Sequence, residues 1–153
     1  GYLVVPEKQL TGAFGRHLVT NWIASPLIAE IASRWIADGT AERLLQWQRR
    51  TLLRRNVLVR RRFEGLAYHG NPRGLHVWLP LPAGWDEGNF VNSLRLRGVA
   101  VAPGSAFDTG PLPAAHQGVR ICLGPPSERA LDEGLTTIAR LARNRPEPDF
   151  LTI

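Results

Sequence analysis

The chain of 153 residues has no methionine, one cysteine (Cys122) and one lysine (Lys8). A single cysteine excludes an internal disulfide and is compatible with a reducing compartment. No apolar run approaches the roughly 20 residues that a membrane-spanning helix needs, and no signal-peptide pattern opens the chain. These absences exclude a disulfide framework and predict that a membrane is not among the partners.

The start of the sequence predicts a piece of a longer protein. GYLVVPE has strand character from its first residue, and the chain contains no methionine with which an intact gene product would begin. We therefore expect part of the function to lie in a segment ahead of Gly1.

The motifs of metal binding and nucleophilic catalysis are absent as well. Four scattered histidines form no pair at i, i+4 spacing: His17, His69, His76 and His116. Cys122 has no partner cysteine and lies in a predicted strand, not at a helix N-terminus. GxSxG and Walker-type phosphate loops do not occur. The sequence predicts no metal site and no catalytic residue.

The composition that remains is that of a globular domain with a basic surface. Apolar residues make up 44% and charged residues 21%, and the net charge is +6. Part of the basic excess forms a stripe on one predicted helix: Arg43, Arg50, Arg54 and Arg61. A nucleic-acid surface and a solvated helix face both explain such a stripe.

Helix signals dominate the first part of the chain. Ser25-Pro26 suits a helix start, and Gly39 is placed to end that helix in a left-handed conformation. Thr40 is expected to cap the next helix. Residues 41–64 contain neither Gly nor Pro, which predicts one helix of about 36 Å.

Strand signals follow. Three apolar runs, Leu75–Leu81, Gly98–Ala102 and Val119–Leu123, have strand character. A helix from Trp85 to Arg95 separates the first two, and a last helix is expected to be capped by Ser127. This order predicts an α+β fold, with a small antiparallel or mixed sheet of about three strands packed against helices.

Arg120 interrupts the third apolar run. An Arg inside a strand is costly to bury without an anion, and its guanidinium matches a carboxylate or phosphate in bidentate geometry. The alternative is an exposed Arg on the polar face of an edge strand. Four residues of the nearby loop are candidates for lining a ligand pocket: Pro103, Gly104, Ser105 and Phe107. A simple turn that ends the strand explains this loop equally well.

The ordered set GLHVWLPLP, Asp86, Phe90, GVAVAPGSAF, VRICLG and LDEGLTTIARL resembles the C-terminal part of fold-type I pyridoxal-phosphate aminotransferases. It is most similar to the aminotransferase-like domain of MocR-type regulators in the GntR family. GYLVV resembles the strand after that family's cofactor lysine, and residues 25–58 resemble its helix pair.

The resemblance implies roles for the candidate residues. Arg120 would bind the substrate α-carboxylate, and Pro103–Phe107 would border the substrate pocket. The lysine that binds pyridoxal phosphate, and the other cofactor-binding residues, would lie ahead of Gly1. Lys8 does not stand in the lysine motif. The chain is thus expected to bind no cofactor covalently and to be inactive as an enzyme by itself.

The resemblance also implies an organisation and partners. Residues 1–39 would be a remnant of the large cofactor-binding domain, 40–64 the long connecting helix, and 65–153 the small C-terminal domain. The partners would be the remaining large domain, a DNA-binding domain, an amino acid or pyridoxal-phosphate adduct, and a second copy in a cytoplasmic homodimer.

Three functions therefore stand as hypotheses. The first is the sensing domain of a transcriptional regulator, which we favour because the WLPLP and GW elements resemble the regulators more closely. The second is the same domain of a working aminotransferase. The third is a basic nucleic-acid-binding module, which a salt-dependent affinity for DNA would support.

Overall fold

The computed structural model describes residues 4–21, 25–107 and 117–144. The chain divides into two compact units, residues 1–46 and 47–153. The boundary between them falls inside the long third helix. The domain limits expected at residues 39 and 64 stay a prediction, and most of the strand-like opening of the chain lies outside the described residues.

The first unit is helical. A 3₁₀ turn at Glu7–Gln9 leads into α1, Leu10–Asn21, and α2 spans Pro26–Ala37 with the proline in its first turn, as predicted. The apolar side chains of α2 are not buried: Leu27 and Trp35 are 68% and 47% exposed.

The junction between α2 and α3, Thr40–Arg62, follows the prediction at one residue and departs from it at the next. Gly39 has a φ of 77°, the left-handed conformation expected of it. Thr40 is not the cap but the first residue of α3. Its backbone N–H donates to Asp38 Oδ1 at 2.8 Å, so the Asp38 carboxylate takes the capping role.

The second unit contains a four-stranded sheet among its described residues. The strands are β1, His69–Gly70; β2, His76–Pro80; β3, Ala102–Pro103; and β4, Gly118–Cys122. Their order is β1-β2-β4-β3, and every pairing is antiparallel. The α+β class is confirmed.

Two strands differ from the prediction. The expected strand Gly98–Ala102 pairs only at its end, from Ala102, because the first part of the segment closes the preceding helix. There the N–H of Val99 donates to Leu94 O and that of Gly98 to Arg95 O, each at 3.0 Å. Strand β1 lies in a turn-rich stretch, and the sequence did not indicate it.

Helices α4, Glu87–Leu96, and α5, Glu128–Arg143, complete this unit. Each begins at an acceptor side chain: Asp86 Oδ1 accepts from Asn89 N at 3.0 Å, and Ser127 Oγ accepts from Ala130 N at 3.2 Å. The cap predicted at Ser127 is confirmed, and Asp86 stands where the predicted helix begins.

The core of the second unit lies between one face of the sheet and helices α3, α4 and α5. The side chains that build it are almost fully buried: Val59, Phe63, Val77, Leu79, Phe90, Leu94, Val119, Ile121, Leu123, Leu131, Leu135 and Ile138. The helices thus cover one face of the sheet, and alternation along β4 puts Arg120 on the other face.

Candidate carboxylate-binding site

Arg120 lies in the middle of β4 with a strand on each side. Trp78 on β2 and Ala102 on β3 stand directly opposite it, and directly opposed residues share a face of an antiparallel sheet. Its neighbours in sequence, Val119 and Ile121, point into the core. Arg120, Trp78 and Ala102 therefore lie on the same face of the sheet, the one that points away from the core.

The loop singled out from the sequence folds against this surface. Pro103 pairs with Val119, and residues Gly104–Phe107 form a 3₁₀ turn directly after it. The turn places the Phe107 ring on the guanidinium, with Arg120 Cζ 4.3 Å from the ring centroid. This is the geometry of a cation–π contact. The structure thus brings Arg120 and the predicted loop together.

The guanidinium is incompletely satisfied. Arg120 Nε is buried, yet no acceptor among residues 4–21, 25–107 and 117–144 bonds to it. None of the ion pairs between described residues includes Arg120. A buried donor without a partner loses its hydration without compensation, so the position favours an added acceptor, above all an anionic one.

Arg55 on α3 provides a comparison, because its Nε is also buried and without a described acceptor. Its Nη1 donates to the carbonyl oxygens of Leu123 and Gly124, the latter at 2.6 Å. Arg55 is therefore tied to the backbone at the end of β4. Among the described residues, Phe107 is the one cation–π contact of the Arg120 guanidinium, and none of them accepts a hydrogen bond from its Nε.

Trp78 packs against two glycines beside Arg120. A Cβ built on Gly118 would lie 2.5 Å from Trp78 Cε2, and one on Gly104 would lie 2.6 Å from Cη2. Real Cβ atoms do not approach so closely, so the indole rests directly on both backbones. The contact of Trp78 with these glycines was not predicted from the sequence, in which Trp78 is only an outward-facing residue of an alternating strand.

Glu87, the first residue of α4, lies behind the same turn. Its carboxylate accepts the backbone N–H groups of Gly104, Ser105 and Gly118 at 3.0, 3.1 and 3.4 Å. Burial raises the pKa of Glu87, but the hydrogen bonds from these residues outweigh it and bring the pKa below the ordinary 4.5. Sequence reasoning missed this residue, because its partners lie 17 to 31 positions away.

The arginine stripe does not form one free surface. Arg43 donates to Thr40 Oγ1 at 2.7 Å, and Arg54 pairs with Glu128 at 3.2 Å. Arg61 lines a cleft of about 430 Å³ between α3 and α5 with three further arginines, Arg62, Arg140 and Arg143. Two of these are engaged, since Arg62 pairs with Asp132 and Arg143 donates to backbone carbonyls. The nucleic-acid hypothesis stays a prediction.

The remaining candidates are dispersed. No group of three or more His, Cys, Asp or Glu in the described part of the chain is arranged to hold a metal ion. His116 lies outside that part, and Cys122 is a free, exposed thiol. None of the described helices is long and apolar enough to cross a membrane.

Comparison with known proteins shows which chains this one is similar to. No family model matches the chain. An uncharacterized HTH-type transcriptional regulator of Bacillus subtilis strain 168, YdeF, is 32% identical over 141 residues, which are 92% of this chain and 30% of the regulator.

Solved structures agree on the fold. An archaeal alanine:glyoxylate aminotransferase matches 91% of the chain with a TM-score of 0.69 and 21% identity, over 35% of its own length. An alpha-aminoadipate aminotransferase from Thermus thermophilus matches 91% with a TM-score of 0.66 and 18% identity, over 36% of its length.

The chain has an aminotransferase-like fold, and the resemblance stated from the sequence is confirmed. A transcriptional regulator is among its relatives. The chain spans about a third of the length of the proteins it matches.

Proposed function

We propose that the chain is the carboxylate-binding part of an aminotransferase-like domain in a GntR/MocR-type transcriptional regulator. In this proposal Arg120 binds the α-carboxylate of an amino acid or of its pyridoxal-phosphate adduct. The observation that carries it is the buried Nε of Arg120, for which no residue in the described part of the chain provides an acceptor, on the face of the sheet opposite the core. The likeness to YdeF supports the regulator over other contexts.

The chemistry follows from the shape of the guanidinium. Arg120 Cζ lies over the Phe107 ring, and no described residue accepts from Nε, so N–H donors in the plane of the guanidinium remain for a planar carboxylate. A carboxylate in that plane can accept two parallel hydrogen bonds, a geometry that Lys cannot reproduce. Arg120 would thus select ligands with a carboxylate and orient them.

The residues around Arg120 do not fit the cofactor itself. Pyridoxal phosphate in this fold class is held by a lysine, and residues 47–153 contain none. Lys8 belongs to the other compact unit, in the 3₁₀ turn at Glu7–Gln9. In the proposed protein the cofactor is therefore bound by another part of the molecule. The further partners proposed are that large domain, a DNA-binding domain and a second copy in a homodimer in the cytoplasm.

A working aminotransferase is the second candidate, and the likeness to two solved aminotransferases over 91% of the chain favours it. Arg120 would have the same role there, since either protein must orient an amino-acid carboxylate. The two candidates differ in turnover, which a pure sensor would lack.

The proposal is tested with a ligand that needs no covalent attachment, N-(5'-phosphopyridoxyl)-L-leucine, the compound bound by the alpha-aminoadipate aminotransferase. In the full-length protein, Arg120→Ala is expected to weaken binding by about 1.5–3 kcal/mol, the range for a hydrogen bond to a charged group. Arg120→Lys should restore little of it. Calorimetric titration measures both.

Two controls make the result specific. The matching adduct without a carboxylate should bind wild type and Arg120→Ala equally. Arg129→Ala, which removes an exposed arginine on α5, should leave both affinities unchanged. Equal loss for the two adducts, or no loss for either, would count against a carboxylate-binding role.

A further inference from the structure

The turn that carries Phe107 is bonded to the Glu87 carboxylate. The Glu87 carboxylate accepts N–H groups from two separate segments, Gly104 and Ser105 in the turn and Gly118 at the start of β4. Three backbone donors on one ionised carboxylate form a charge-assisted set, which is stronger than neutral hydrogen bonds. The contact therefore ties the turn to the strand that bears Arg120.

The fit around this contact leaves little room for movement. Gly104 is buried, and a Cβ there would lie 2.9 Å from Glu87 Oε2 and 2.6 Å from Trp78 Cη2. The turn is thus held between the carboxylate and the indole. Phe107 is three residues beyond Gly104 in the same 3₁₀ turn, so its ring position over Arg120 depends on where Gly104 is held.

Glu87 is not needed to start its own helix. Asp86 is the N-cap of α4 and accepts from Asn89 N. The neighbouring carboxylate of Glu87 is turned instead toward the turn and β4, while the helix N-terminus favours its ionised form. Because Asp86 caps α4 and Glu87 bonds to residues of the turn and β4, we infer that the role of Glu87 lies outside α4.

We propose that Glu87 is a positioning residue for the Arg120 site: it fastens the Gly104–Phe107 turn to β4 and thereby keeps the Phe107 ring on the guanidinium. This proposal rests on the proposed function, because positioning of the guanidinium by Glu87 matters for activity only where Arg120 binds a ligand. Without these hydrogen bonds the turn would move away from Arg120, and the guanidinium would lose its cation–π contact with Phe107. Glu87 touches no ligand in this scheme.

The test follows two sets of NMR signals in the 153-residue chain, neither of which needs a ligand. In Glu87→Gln, whose amide cannot accept the same three donors, the amide hydrogens of Gly104 and Ser105 should exchange with solvent about tenfold faster or more, as expected for losing a hydrogen bond to a charged group. The amides of Val99 and Leu123, bonded to Leu94 O and Leu75 O, should be unchanged.

The second signal is the side-chain Nε–H of Arg120, which we expect the ring current of Phe107 to shift, because Arg120 Cζ lies 4.3 Å from the ring centroid. In Glu87→Gln this resonance should move toward its position in Phe107→Ala, where the ring is absent. Glu133→Gln, which removes a carboxylate paired with Arg129 on the surface of α5, is the matched control and should move neither signal.

Faster amide exchange with an unmoved Arg120 signal would show a merely structural role and would overturn the proposal, as would wild-type exchange. If Glu87→Gln does not fold, Glu87→Asp replaces it, because the shorter side chain withdraws the carboxylate from the turn. Intermediate shifts in both signals then support the proposal, and wild-type values contradict it. A failure here leaves the adduct-binding test of Arg120 untouched, and the reverse also holds.

Discussion

Arg120 is held in place by an aromatic ring instead of a counter-ion, as far as the described residues show. A cation–π contact contributes about 0.5–2 kcal/mol, depending on exposure. An unpaired buried donor costs about 1–3 kcal/mol. The two magnitudes are similar, so stacking on Phe107 can offset the burial of Nε but cannot supply its acceptor. A ligand carboxylate would supply one and would gain more than it could at an exposed arginine.

At the same scale, the position of Trp78 depends on the absence of a side chain at Gly118. Gly118→Ala is expected to lower the free energy of unfolding by about 1–3 kcal/mol, because the new methyl group overlaps the indole and forces it to shift. Chemical denaturation followed by circular dichroism measures the change.

Gly134 on α5 is the matched control, because a Cβ there meets nothing within 4 Å. Gly134→Ala should raise stability by up to about 1 kcal/mol, since alanine is the better helix former. A Gly118→Ala chain as stable as wild type would mean that the indole does not rest on this backbone.

Some residues of the candidate site could be identified from the sequence and others could not. Arg120 was identified because a charge in an apolar strand is conspicuous, and the Pro103–Phe107 loop because of its Gly and Ser. Glu87 and Trp78 were not identified. Their partners are backbone groups of residues distant in sequence, and a backbone group has no signature in the sequence. Whether Arg120 binds a carboxylate remains a prediction.

At the scale of elements, polar contacts attach α5 to α3. Arg62 Nε donates to Asp132 Oδ1 at 2.7 Å, and its Nη2 donates to Oδ2, which makes the pair bidentate. Farther along α5, Arg143 Nη2 donates to Arg62 O at 3.0 Å and to Glu64 O at 2.8 Å. The Arg143 contact satisfies the carbonyl of Arg62, the last residue of α3, and that of Glu64 just beyond the helix.

The Arg62–Asp132 pair makes stability depend on pH. Hydrogen bonding to Arg62 lowers the pKa of Asp132 from its ordinary 3.8. A carboxyl with a lowered folded-state pKa stabilises the fold above 3.8, and this contribution is lost as the pH falls through the folded-state value. Asp132→Asn should therefore destabilise the chain at neutral pH, and the gap to wild type should close below pH 3.8.

The measurement is denaturation of both chains across acidic and neutral pH. Glu133→Gln serves as the control, because its exposed pair with Arg129 should contribute little at any pH. A gap between wild type and Asp132→Asn that stays constant on acidification would contradict the role given to the pair.

The elements show which sequence signals were reliable. The last helix was predicted with its cap, and the apolar residues at helical spacing, Leu131, Leu135 and Ile138, are buried in the structure. The segment Gly98–Ala102 was wrong as a full strand, since its first residues serve the end of α4. Strand β1 was missed because two residues that pair only through their backbone have no periodicity to detect.

At the scale of the molecule, the second unit has its core on one face of the sheet and the proposed ligand site on the other. Helices and apolar side chains cover one face of the sheet, and the other face has Arg120, Trp78 and the Phe107 turn. When the core and the ligand site lie on opposite faces of a sheet, residues of the site can change without disturbing the core. Function is then decided by the residues of the site and not by the fold. The fold class followed from the order of helices and strands, whereas the closeness of α4 to the turn required the three-dimensional structure.

The most direct measurement follows the Arg120 Nε–H resonance of the 153-residue chain while sodium acetate, the simplest carboxylate probe, is added. Sodium chloride at equal ionic strength is the control. A carboxylate bound at Arg120 predicts a saturable downfield shift with acetate only, absent from the resonance of the exposed Arg129. A resonance that acetate does not move, or that chloride moves equally, would contradict carboxylate binding at this site.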